Sequence, residues 1–92
     1  MAAMGGMCDS VFRQGRTFVI QTEDKGPRQG VIETAVYEGG RVLHVMRTSY
    51  LPRLGGPDLE GAVGRMMGEQ HRRARADIES GRMDKPAAPE KA

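Results

Sequence analysis

Two alternating runs meet at a glycine pair in "GVIETAVYEGGRVLHVMRTSY", residues 30–50, and this junction restricts the fold more than any other stretch. Gly39-Gly40 can supply positive φ at both central positions, as a two-residue hairpin loop demands. With such a loop Glu38 pairs with Arg41, Tyr37 with Val42, Val36 with Leu43 and Ala35 with His44. One face then collects Ile32, Thr34, Val36, Leu43 and Val45, which are nearly all apolar. The other collects Glu33, Ala35, Tyr37, Val42, His44 and Met46, a mixed set. A one-residue slip would scramble this separation, so burial of one face specifies the register.

Upstream, "VFRQGRTFVIQTE" predicts strands at residues 11–13 and 16–22 around a Gln14-Gly15 turn, and "EDKGPRQG" reads as a loop. Downstream the period changes. Leu59, Val63, Met66, Met67, Gln70, Ala74 and Ile78 fall on one stripe at helical spacing. Asp58 stands at the N-cap position and Gly81 where a C-cap glycine belongs. A long helix with one apolar face must bury it against the apolar face of the hairpin. The expected fold is α+β: a small antiparallel β-meander of three to four strands packed against one long C-terminal helix.

Ninety-two residues suffice for one domain. Aromatics are only 4% of the chain, so its core must be aliphatic and methionine-rich. Residues 1–9 are small and without period, and residues 83–92 are rich in Pro and Ala. Both are expected to be disordered, which leaves residues 10–82 as the folded domain. Cys8 is the single cysteine, which points to a reducing compartment. No apolar run approaches the roughly 18 residues of a membrane span, and "MAAMGGMCDS" has neither region of a secretory signal. The chain is expected in the cytoplasm, away from membranes.

The stretch "RMMGEQHRRARADIESGRM" looks basic, yet on this helix Arg65, Arg72, Arg73, Arg75 and Arg82 are offset by Asp58, Glu60, Glu69, Asp77 and Glu79. Glu69–Arg73, Arg73–Asp77 and Arg75–Glu79 have the i,i+4 spacing of a solvated, salt-bridged face. A nucleic-acid helix would instead carry free cations and stacking aromatics. His71 has no second histidine at i+3 or i+4, so no metal site is expected. The glycine pairs lack the Lys-Ser/Thr of a phosphate loop. No catalytic residue and no cofactor are expected, and a small enzyme using His44 and Glu33 is the least favoured class.

Two features point to protein partners. Gly61, Gly64 and Gly68 share the polar side of the helix, where a flat stripe would admit another backbone. "RVLHVMRTSY" should be the last strand and hence an edge that a partner, or a second copy forming a homodimer, could pair with. The expected protein-binding residues are Tyr37, His44, Met46, Arg47, Tyr50, Gly64 and Gly68. The competing class is a nucleic-acid-binding protein using Arg13, Arg16, Arg41 and Arg47 on the sheet.

The pattern "IQTED", "YEGGRVL", "RTSY" and "GEQHRRARADIESG" resembles a family of small, mainly deltaproteobacterial proteins, most without an assigned activity. It also resembles the RomX-type polarity adaptors. The likeness covers residues 18–81 and brings no catalytic residue with it. It implies an adaptor or regulator acting with a response-regulator partner on a small Ras-like GTPase in cell polarity.

Overall fold

The computed structural model describes residues 6–84. Along the chain run β1 (Gly6–Arg13), β2 (Arg16–Asp24), β3 (Val31–Glu38), β4 (Arg41–Ser49), a 3-10 turn (Leu51–Arg53) and α1 (Leu59–Glu79). The strands form one antiparallel sheet in the order β1-β2-β3-β4, and α1 packs on β1, β2 and β3. This is the α+β meander and helix expected from the sequence. Both tight hairpins close through left-handed pairs, Gln14 (φ 52°) with Gly15 (φ 79°) and Gly39 (φ 59°) with Gly40 (φ 81°).

The first boundary differs from expectation. Residues 6–9, read as mobile, form the first half of β1 and pair with β2 from Gly6↔Glu23 to Asp9↔Ile20. They carry little apolar surface. The backbone ladder orders them, together with an Asp9–His71 bond that spans 62 positions of chain. Residues 1–5 lie outside the described residues. At the other end Met83 packs on the core, and Arg13 grips the Asp84 carboxylate in two bonds of 2.8 and 2.9 Å. Order therefore extends past residue 82, while residues 85–92 lie outside the described residues.

A second difference lies in the β3–β4 hairpin. Glu38↔Arg41 and Tyr37↔Val42 pair as expected, but a bulge follows, and Val36 meets His44 while Ala35 meets Val45. One extra residue on β4 turns every later side chain over. Met46, expected on the mixed face, instead lies level with Thr34 and packs against the core. Val45, expected in the core, lies level with Ala35 on the far face and is exposed. Leu43 still reaches the core.

The helix begins at Asp58, but not as a side-chain cap. Asp58 is left-handed (φ 56°) and makes no capping bond. Its carboxylate lies where a Cβ of Gly61 would stand. The C-terminus closes as expected: Gly81 N–H donates to Ile78 O, and Arg82 N–H donates to Asp77 O. This double bond around a glycine of positive φ is the Schellman geometry. Of the expected helix ion pairs, Arg75–Glu79 forms at 3.3 Å. No bond joins Glu69 to Arg73 or Arg73 to Asp77 among the described residues.

The core between sheet and helix is split in two. Val11, Phe18, Ile20, Val36, Ala74 and Ile78 make one apolar cluster, and Ile32, Tyr50, Val63 and Met67 the other. A polar belt of Thr22, Thr34, Gln70 and His71 separates them.

Candidate functional site

The polar belt is the first place to look for chemistry, because an acid, an imidazole and a hydroxyl line up in it. His71 Nε2 lies 2.7 Å from Asp9 Oδ2, and His71 Nδ1 lies 2.8 Å from Thr22 Oγ1. Thr22 Oγ1 is 2.7 Å from Thr34 Oγ1, which accepts from Gln70 Nε2 at 3.0 Å. One direction satisfies every group. Gln70 donates to Thr34, Thr34 to Thr22, Thr22 to His71 Nδ1, and His71 Nε2–H to the Asp9 carboxylate. Reversing the chain would turn the Thr34 hydroxyl hydrogen back toward the Gln70 amide donor. Thr22 and Thr34 are both 0% exposed, so neither hydroxyl can reach a substrate. The constellation is a structural tie between helix and sheet, anchored further by Gln70 Nε2 on Ile32 O and Met46 O and by Thr48 on Gln70 Oε1.

Among the described residues no three His, Cys, Asp or Glu side chains group as a metal site. His44 and Glu33, the least favoured enzymatic pair, do not bond to one another. The Glu33 carboxylate instead accepts from Arg47 Nε at 2.8 Å and lies 3.4 Å from Lys25 Nζ. Burial opposes its ionisation, but Arg47 and Lys25 outweigh that and hold the carboxyl below its usual range.

The expected protein-binding residues scatter. Tyr37 is half-buried on the face away from the helix, and His44 and Arg47 are exposed on β4. Met46 is withdrawn to the core by the bulge. Tyr50 is 1% exposed, and its hydroxyl donates to Asp24 Oδ1 at 2.6 Å. Its ring fills the second cluster because the chain bends into the 3-10 turn directly after β4. Gly68 is buried and Gly64 half-buried, so they offer no flat exposed stripe. The Arg72 side chain folds over Gly68, 3.1 Å from where its Cβ would stand.

Tyr50 also makes a pH prediction. Burial, followed by the bond to Asp24 and its negative charge, pushes its hydroxyl up to about 12. An unfolded tyrosine ionises near 10. The stabilisation is therefore complete below pH 10 and is lost as pH rises through 12. Tyr50→Phe should lower stability by about 2 kcal/mol at neutral pH and flatten the loss between pH 10 and 12, as read by urea unfolding at each pH.

What does come together is the open face of the sheet. Its residues form level rows across the four strands: Ser10, Val19, Tyr37, Val42; then Cys8, Gln21, Ala35, Val45; then Gly6, Glu23, Glu33, Arg47. Beyond the first row Phe12 pairs with Thr17. Phe12 is 74% exposed, Val42 52% and Val45 36%. Among the described residues no element packs on this face, since α1 lies on the other. Tyr37 was expected as a contact residue and Val42 on this face, whereas Phe12, Val19 and Val45 were not expected here. The missed signal was spacing: Val42-Leu43 and Val45-Met46 are adjacent apolar pairs three apart, which a strictly alternating strand does not give.

The cations proposed for nucleic acid are largely spoken for. Arg13 pairs with Asp84, Arg16 with Glu38 and Arg47 with Glu33, while Arg41 lies opposite Glu38. No family model, curated protein or solved structure matches this chain. Among the described residues no helix is long and apolar enough to cross a membrane.

Proposed function

We propose that this chain is a non-catalytic protein-interaction module whose contact surface is the open sheet face with the adjoining β4 edge. The observation that carries this reading is the apolar patch of Phe12, Val19, Tyr37, Val42 and Val45 on a sheet face that nothing described covers. Contiguous apolar surface of this kind marks a contact site, and Tyr and Arg are the residue types that most often anchor one. Tyr37 stands inside the patch and Arg47 at its border. The finer reading, an adaptor or regulator in the bacterial cytoplasm acting with a response regulator on a small Ras-like GTPase, rests on the likeness to RomX-type adaptors.

The test is affinity capture from native lysate with two baits, wild type and the Val42→Glu/Val45→Glu variant. A set of proteins held by the first and lost by the second is expected. Identical capture by both baits would sink the reading. Binding to DNA or RNA with a steep salt dependence would favour the nucleic-acid alternative.

A further inference from the structure

We infer that the occupant of the open sheet face is a second copy of this chain, stacked sheet to sheet so that the dimer has helices outside and two sheets within. The inference rests on the interaction reading of that face and names its partner.

Three observations select a second copy. The first is charge. The third row of the face, Glu23, Glu33 and Arg47, is neutralised within the chain, because Lys25 bonds Glu23 at 2.8 Å and Arg47 bonds Glu33 at 2.8 Å. The face therefore presents no net charge that would choose an acidic or a basic partner, and a like surface meets no repulsion from it.

The second is relief. The row with Val19, Tyr37 and Val42 stands next to the row with Cys8 and Ala35, and Ala35 is small and only 7% exposed between its neighbours. A two-fold axis across the strands, between these rows, lays the Tyr37 row of each copy over the Ala35 row of the other. Tyr37 of one copy then lies over the Ala35 position of its mate, as the symmetry of a two-fold contact requires. The same axis carries the two charged rows to opposite ends of the interface, each level with the Phe12–Thr17 pair of the mate. The Phe12 ring lies level with Gly6 of the mate, whose missing side chain leaves room for it.

The third is area. Four strands about 4.8 Å apart and eight residues long at roughly 3.3 Å each offer on the order of 500 Å² of projected face. Two such faces bury on the order of 1,000 Å², the lower limit of a specific interface. The dimer is therefore weak and reversible, and it forms as the protein is concentrated.

The bulge in β4 is what makes the surface. It turns Val45 out beside Ala35 and Val42 and turns Met46 into the core, so one inserted residue both fills the core and completes the contact face.

Sedimentation velocity of the purified full chain, from low micromolar to near-millimolar concentration, tests the inference. Wild type should shift from monomer to dimer across that range. Val45→Glu, at an exposed position, should weaken association at least about tenfold with an unchanged circular-dichroism spectrum and thermal melt. Tyr37→Ala should weaken it as well. His44→Asp, on β4 but outside the stacked rows, should leave it as it is. A wild type that stays monomeric throughout overturns the inference, and the face then belongs to a different protein or to part of this chain beyond the described residues. A dimer indifferent to Val45→Glu but abolished by His44→Asp also overturns it, since pairing would then run along the β4 edge. Neither result touches the capture experiment, which judges the interaction reading on its own.

Discussion

Met67→Asp is expected to leave the chain unfolded. Met67 is 4% exposed and packs with Ile32, Tyr50 and Val63, with Leu59 and Met66 at the margin. The substitution removes about 2 kcal/mol of apolar burial and places a carboxylate among aliphatic side chains with no cation in the cluster. An uncompensated buried charge costs several kcal/mol more. A domain of this size is stable by about 5–10 kcal/mol, so the two losses exhaust it. Arg72→Ala is the control. Its side chain is exposed and joins no ion pair among the described residues, so its loss should change stability by less than about 1 kcal/mol. Circular dichroism and urea unfolding of both variants decide the matter. Two equally stable proteins would mean that the helix packs with a different face.

Removing residues 1–9 should lower stability by about 3 kcal/mol or more. The sequence predicts a disordered segment here, but residues 6–9 belong to β1. The deletion takes away the half of β1 that pairs with residues 20–23 of β2, and it takes away Asp9, to which His71 Nε2–H donates at 2.7 Å. A buried donor left without an acceptor costs about 1–3 kcal/mol by itself, and His71 is 3% exposed. The lost strand half adds to that by baring Thr22 and Ile20, both 0% exposed in the intact sheet. Asp9→Ala should show the first part alone, about 2 kcal/mol, because the ladder remains. Urea midpoints of the intact chain, the point variant and the truncation should fall in that order. A truncated protein as stable as the intact one would mean that Asp9 contributes nothing to the fold.

Local chemistry was legible wherever a backbone conformation depends on the residue itself. The Gly39-Gly40 and Gln14-Gly15 turns and the Gly81 terminus follow from which residues tolerate positive φ. The helix phase follows from apolar spacing, and the stripe from Val63 through Met67, Gln70 and Ala74 to Ile78 is buried as expected. His71 lies on the same helix, buried with both ring nitrogens engaged. No local pattern reveals that, because its partners Asp9 and Thr22 stand 62 and 49 positions away.

The candidate surface was legible only in part, and a single residue explains why. Alternation assigns Val45 to the core and Met46 to the outside, and it would be right for a regular strand. The bulge reverses both, and with them the choice of contact residues. Tyr50 shows the same limit. As an aromatic at a strand end it reads as an exposed anchor, but the turn after Ser49 folds it under the helix onto Asp24.

The class of fold, the two tight turns, the long helix and the face it buries follow from the chain's own pattern, because each depends on residues a few positions apart. Where β1 begins, which way β4 faces beyond His44, and the tie of Gln70 and His71 to a pair of threonines emerge only in the folded molecule. Those outcomes depend on contacts between distant segments, and their energies exist only once helix and sheet have met.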